Sequence, residues 1–163
     1  MSDIDFNTSV LFSIVVPTYN RAEFLPKTIS SILNQTFKSF ELIVVDDGST
    51  DGSKEIVNNQ FDDNRVIYCY KINEERGKAR NYGFNKSKGK YVVFFDSDDL
   101  MLPDYLETLR DGILKNDYPN FIAAKYIFTN LLGEKISIGS TNQVSRWYDY
   151  RDFITGTYIG SHL

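Results

Sequence analysis

Cysteine, histidine and tryptophan are nearly absent. Cys69, His162 and Trp147 are the single representatives of their kinds among 163 residues. One cysteine excludes a disulfide framework. One Cys with one His cannot build a four-ligand zinc site. Long apolar runs are missing as well. Ile14-Val15-Val16 and Tyr91-Val92-Val93-Phe94-Phe95 are strand-sized, short of the about 18 residues that span a bilayer. The opening Met1-Ser2-Asp3-Ile4-Asp5 has neither the basic nor the apolar region of a secretory signal. The sequence therefore predicts a cytoplasmic, soluble protein. Excess positive charge is also lacking: the net charge of -4 disfavours nucleic acid or an anionic membrane as a bulk partner.

What remains is an ordinary globular composition, 42% hydrophobic and 25% charged, enough to offset the entropy of ordering. The length suits one domain. Residues 1–11 read as a loose leader. Phe12 to Val16, closed by Pro17, is nearly continuous in apolar residues, as a strand buried on both faces should be. Leu25, Ile29, Ile32 and Leu33 fall on one helical face, with Pro26 suited to the first turn. Further strands are expected at Glu41–Val45, Val66–Lys71 and Tyr91–Phe95. A short helix capped by Asp51 or Ser53 should run through Asn58, and another from Lys78 to Lys86. From Pro103 a helix should carry Leu106, Leu109, Ile113 and Leu114 on one side. A fifth strand near Phe121–Phe128 and a hairpin around Gly133-Glu134 follow. This alternation predicts an α/β fold with a mostly parallel open sheet and helices on both faces.

In such sheets ligands bind beyond the carboxyl ends of the strands. Three strands end in polar clusters: Thr18-Tyr19-Asn20-Arg21, Asp46-Asp47-Gly48-Ser49 and Asp96-Ser97-Asp98-Asp99. Parallel strands would put all three on one rim. Two like charges a few Å apart repel by about 4 kcal/mol at an effective dielectric of 20. A cation removes that repulsion, and oxygen-only ligands point to Mg²⁺ or Mn²⁺. A lone Asp-x-Asp is ordinary turn chemistry. Here it follows a five-residue apolar strand and matches a second acidic strand end. From Lys71 to Lys90 there are seven bases and two acids. Lys86, Lys88 and Lys90 read as a solvated face. Arg76-Gly77-Lys78-Ala79-Arg80 at a loop-to-helix junction reads as a phosphate site.

These stretches resemble glycosyltransferase family 2, enzymes of the GT-A fold. The resemblance rests on Ser13–Arg21, Ser30–Thr36, Glu41–Ser53, Gly77–Gly83 and Phe95–Asp99, in the family's order and spacing, over about residues 12–115. It implies a nucleotide-diphospho-sugar donor, most often a UDP-sugar, and inverting, metal-assisted transfer to a hydroxyl on a carbohydrate or lipid-linked acceptor. Pro17, Tyr19 and Arg21 match the loop flanking the nucleotide base. Asp47, with Asp46 beside it, matches the acid that hydrogen-bonds uracil, and Arg80 the basic nucleotide contact. Asp96 matches the ribose-facing acid of the Asp-x-Asp motif, with Ser97 between it and Asp98. Asp98 matches the metal ligand, with Asp96 and Asp99 in support; the cofactor implied is Mn²⁺ or Mg²⁺. The family makes cell-surface polysaccharide assembly the expected setting, with a peripheral seat at the inner membrane face.

The resemblance divides residues 12–163, a single GT-A-like domain, into a donor-binding half, 12–115, and an incomplete acceptor half, 116–163. The family carries its catalytic base in the acceptor half, and no residue here stands in a recognisable base motif. Asp149 and Asp152 read as surface acids and His162 as a frayed end. Phe153, Ile154, Tyr158 and Ile159 would lack partners, so self-association through the region after about Asn120 is expected. The competing reading is a module that binds a nucleotide-sugar without transferring it. A nucleotidyltransferase would want a glycine-rich loop after the first strand, where this chain has Thr18-Tyr19-Asn20-Arg21. A phosphoacceptor signalling domain would place its paired acids after the first strand, and here they follow the second.

Overall fold

A computed structural model describes residues 10–120, 122, 126–129 and 135–139. The expectations for the leader up to residue 9, and for Asp149, Asp152, His162 and the apolar residues at 153–159, lie outside the described residues. In order, the elements are β1 (Phe12–Thr18), α1 (Leu25–Leu33), β2 (Phe40–Asp46), α2 (Ser53–Gln60), β3 (Val66–Tyr70), α3 (Glu75–Lys86), β4 (Tyr91–Phe94), α4 (Tyr105–Lys115), β5 (Tyr126–Thr129) and β6 (Lys135–Gly139). Two compact units divide the chain, residues 1–107 and 108–163. Among the described residues no helix is long and apolar enough to cross a membrane.

The first unit holds a four-stranded sheet in the order β3-β2-β1-β4, every pair parallel. All seven residues of β1 and of β2 are buried, as their nearly continuous apolar runs predict. The steps β1→β2→β3 run one way across the sheet and β3→β4 runs back. Right-handed crossovers then put α1 and α2 on one face and α3 on the other. The cluster Val15, Ile43, Val45 and Ala79 is the α3 side of the core. Gly83 of α3 lies so close to Val15 that a Cβ there would collide with its side chain. Alternate residues Ile14, Val16, Leu42 and Val44 face the opposite way and are equally sealed from solvent. Burying each such side chain is worth about 1.5–3 kcal/mol.

Two polar residues interrupt these strands and meet across the sheet. Ser13 is in register with Glu41, and its Oγ donates to Glu41 Oε1 at 2.5 Å. The same Oε1 accepts the Lys88 N–H at 2.6 Å, and Ser13 Oγ accepts the Gly89 N–H at 2.7 Å. A buried carboxylate is thus satisfied by neutral donors, and the turn between α3 and β4 is tied to the amino ends of β1 and β2.

Three sequence expectations are corrected. The fifth strand does not join the parallel sheet: β5 pairs antiparallel with β6 in a separate two-stranded sheet, so the hairpin expected around Gly133-Glu134 uses it. Leu114 is exposed while Leu106, Leu109 and Ile113 are buried; the last residue is turned about 100° beyond Ile113 on the helix. Helix α3 begins at Glu75, three residues before Lys78, which places Gly77 inside the helix.

At the start of β3, Asp63 accepts three hydrogen bonds from Arg65, from its N at 2.9 Å, Nε at 2.9 Å and Nη2 at 2.7 Å. These bonds hold the Asp63 carboxyl well below its usual 3.8, at about 2. A depressed carboxylate contributes stability above its unfolded value, and that stability is lost as pH falls through the folded one. After discounting for solvent screening the expected loss is about 1–2 kcal/mol between pH 5 and 2. Urea unfolding of wild type and Arg65→Gln should differ by that amount at pH 6 and converge near pH 2. A gap undiminished at pH 2 would show that Arg65 acts through its stacking over Phe40 and not through Asp63.

Candidate donor-binding site

Strand order reverses between β1 and β4, and the crevice outside their carboxyl ends is where open α/β sheets bind ligands. Thr18 at the end of β1 is in register with Asp46 at the end of β2, and Asp47 N donates to Thr18 O at 2.8 Å. Because the strands are parallel, the three polar clusters do share this rim.

The loops after β1 and β2 are zipped together. Asn20 N donates to Ser49 Oγ at 2.9 Å and Asn20 Oδ1 accepts Thr50 N at 2.8 Å. Ala22 N donates to Asp51 Oδ2 at 2.8 Å. Asn20 sits at φ 51°, a conformation that asparagine tolerates better than most residues. The zipper leaves the Tyr19 ring half exposed above the rim. Pro17, expected beside it, is a buried strand residue and supports this loop from below.

The paired acids after β2 have different tasks. Asp46 is buried and both its oxygens are committed: Ser49 N donates to Oδ1 at 2.7 Å and the Tyr68 hydroxyl to Oδ2 at 2.6 Å. Burial, then the Asp46 carboxylate, push the Tyr68 phenol well up. Asp46 thus braces the turn from within through both oxygens. Asp47 Oδ1 accepts Lys71 Nζ at 2.5 Å, and Glu74 N lies 3.1 and 3.3 Å from its two oxygens. Desolvation works against the Lys71 ammonium, but its hydrogen bonds to Asp47 and Glu74 outweigh this and hold its pKa above the usual value. Gly48 between these groups has φ +88°, and a Cβ on it would stand 3.0 Å from Asn73 N, so only glycine fits.

On the other side of β1, Arg80 Nη2 of α3 donates to Asp96 Oδ1 at 2.6 Å. Arg21 Nε lies 3.8 Å from Asp98 Oδ2, and both side chains are about half exposed, at 49% each. Ser97 is buried. Lost solvation, then the charges of Asp96 and Asp98, push the Asp99 carboxyl up. Among the described residues no group of three or more Asp, Glu, His or Cys side chains stands ready to hold a metal. Of the expected metal carboxylates Asp96, Asp98 and Asp99, Asp96 is engaged by Arg80. The donor set still fits Mg²⁺ or Mn²⁺, which commonly bind one or two carboxylates together with substrate phosphates. Two buried polar atoms on this rim, Thr18 Oγ1 and Arg80 Nε, have no hydrogen-bond partner among the described residues. Such atoms cost about 1–3 kcal/mol unless a ligand completes them.

The stretch expected to hold phosphate, around Gly77, lies in the first turns of α3. A Cβ on Gly77 would meet nothing within 4 Å, and Glu74 and Glu75 occupy the helix start. Lys71 was not singled out from sequence, although a lysine at the end of a strand otherwise made of apolar and aromatic residues was the available signal.

An open parallel sheet with an acid-and-arginine rim at its strand-order reversal defines an open α/β class of protein. The chain matches glycosyl transferase family 2 over residues 13–155 and belongs to that family, with its GT-A fold. It is 39% identical to an uncharacterized glycosyltransferase of Haemophilus influenzae over 90% of this chain and 58% of that protein. It is 44% identical to a GalNAc(5)-diNAcBac-PP-undecaprenol beta-1,3-glucosyltransferase of Campylobacter jejuni over 60% of this chain and 32% of that one. The chain thus spans less than two thirds of the length of these relatives. Among solved structures, S. aureus TarS 1-349 in complex with UDP-GlcNAc is similar with a TM-score of 0.63 and 32% identity, covering 66% of this chain and 32% of that one. A Pyrobaculum calidifontis mannosyltransferase in complex with GDP-Man and Mn²⁺ is similar with a TM-score of 0.60 and 25% identity, covering 67% of this chain and 34% of that one.

Proposed function

We propose that this chain binds the nucleotide-diphospho-sugar donor, a UDP-sugar, of an inverting and metal-assisted sugar transfer. The observation that carries the reading is the rim at the strand-order reversal, where Arg80 grips Asp96 while Asp98 stays open to solvent. In this reading Asp47 accepts the imino N–H of the base and Tyr19 flanks it. Asp96 faces the ribose, and the unpartnered Arg80 Nε is completed by the donor. Asp98 would hold Mn²⁺ or Mg²⁺. The bound cation supplies charge neutralisation at the departing diphosphate, and Arg21 adds to it from the protein. The acceptor hydroxyl attacks the anomeric carbon, the bond to the diphosphate oxygen breaks, and a carboxylate takes the hydroxyl proton. A carbohydrate or lipid-linked acceptor agrees with the name of the Campylobacter relative.

Calorimetry with UDP, GDP and CDP, with and without Mn²⁺, tests the donor reading. UDP should bind, and Asp47→Ala should weaken it by about 1.5–3 kcal/mol, the worth of a hydrogen bond to a charged group. Absence of nucleotide binding would refute the reading, and equal binding by Asp47→Ala would refute the role of Asp47. Release of UDP from a UDP-sugar would identify a transferase; binding without release would leave a donor-binding module.

A further inference from the structure

The segment that carries the acidic motif, residues 95–104, has no helix or strand of its own. Its shape is set by one side of α1. Thr28 and Ser31 stand at i and i+3 on one face of the helix, and Gln35 lies two residues beyond its end at Leu33. Thr28 Oγ1 donates a shared hydrogen bond to the carbonyls of Ser97 and Asp99, 2.9 Å from each. Ser31 Oγ accepts Met101 N at 3.0 Å. Gln35 Nε2 donates to Leu102 O at 2.6 Å, and its Oε1 accepts Leu106 N at 3.0 Å. Thr28 and Gln35 are buried, so these bonds do not compete with water, and leaving either partner unmet is costly.

Thr28 stands out in this ladder because its two acceptors flank one residue, Asp98. We propose that Thr28 is a positioning residue for Asp98: by tying the carbonyls on either side of it, Thr28 aims the Asp98 carboxylate and sets the affinity of the site for a divalent cation. The inference rests on the reading of Asp98 as a metal ligand given above. Groups that orient a ligand from behind typically change metal affinity by about 10–100-fold when removed. A hydroxyl is required and a methyl in its place is not equivalent, so valine and serine separate hydrogen bonding from shape.

The test measures Mn²⁺ binding in the presence of saturating UDP, by the electron paramagnetic resonance signal of free Mn²⁺. UDP affinity without metal and thermal unfolding are measured alongside. Thr28→Val should weaken Mn²⁺ binding by about 10-fold or more, with metal-free UDP affinity within twofold of wild type, and Thr28→Ser should restore Mn²⁺ binding. Unchanged Mn²⁺ binding by Thr28→Val overturns the proposal. So does an equal loss of metal-free UDP affinity, which would make Thr28 a general support of the fold. Should Thr28→Val fail to fold, Thr28→Ala is measured under the same criteria, and failure of both to fold also overturns it. Wild type that binds no Mn²⁺, or Asp98→Ala that binds it normally, removes the metal reading and this inference with it. Normal Mn²⁺ binding by Thr28→Val beside a defective Asp98→Ala removes only the inference.

Discussion

Asp98→Ala should abolish the dependence of UDP binding on Mn²⁺, lowering Mn²⁺ affinity by at least about 100-fold, the upper end of what loss of a supporting contact costs. The side chain is about half exposed, and its ion pair with Arg21 is long, at 3.8 Å. Removing it leaves no buried group unpaired, so the fold should survive with thermal unfolding near that of wild type. Asp96 cannot take over, because Arg80 holds its Oδ1 at 2.6 Å. Asp98→Asn keeps the shape but loses the charge that a hard cation prefers, and should be only slightly better than alanine. Metal-free UDP affinity should be unchanged or slightly raised, since a carboxylate near the diphosphate is repulsive without a cation. The measurement is UDP calorimetry across a Mn²⁺ titration, with chelator as the zero point. Wild-type UDP affinity indifferent to chelator would sink the metal reading, and retained Mn²⁺ dependence in Asp98→Ala would move the ligand elsewhere.

The second large effect is on stability. A Cβ at Gly89 would lie 2.5 Å from Ser13 N and 2.7 Å from Phe12 C. Both are backbone atoms of β1, which is paired on each side, so no rotamer change relieves the clash. The Gly89 N–H also serves Ser13 Oγ in the Glu41 network. Gly89→Ala should therefore cost about 3 kcal/mol or more, at or beyond the usual range for overpacking. That is a large share of the roughly 5–15 kcal/mol that holds a domain folded. Gly77→Ala is the contrast. It sits in α3 with no neighbour near its missing Cβ, and alanine there should stabilise by about 0.5–1 kcal/mol. Denaturant midpoints compare the two. A Gly89→Ala change below about 1 kcal/mol would show that β4 can shift away from β1. A loss of UDP affinity in Gly77→Ala would support the phosphate reading of that turn.

How far each element was legible depended on the range of the forces behind it. β1 and β2 announce themselves as apolar runs because burial on both faces admits little else. The polar clusters after β1, β2 and β4 announce the rim, because parallel strands must bring their carboxyl ends to one side. The division of labour between Asp46 and Asp47 was not legible. Both are buried acids in one turn, and only the tertiary structure shows that Asp46 is bonded by Tyr68 and Asp47 by Lys71, each more than twenty residues away. Ser13 and Glu41 were visible as interruptions of apolar strands, but their meaning required the register that pairs them. Leu114 fits a helical apolar pattern locally and is exposed all the same, since pattern gives a stripe and packing decides how wide it is.

From the sequence alone followed the family, the α/β class, the parallel strands and the residues on the rim, all of which rest on local pattern and chain order. The tertiary structure decided the rest: which acid is committed to Arg80 and which stays open, why residues 83 and 89 must be glycine, and how the acidic loop is held. Those outcomes turn on contacts of a few Å between residues such as Thr28 and Asp99 or Ser13 and Gly89, about seventy positions apart in the chain. No local propensity encodes such separations; the packed sheet and its helices do.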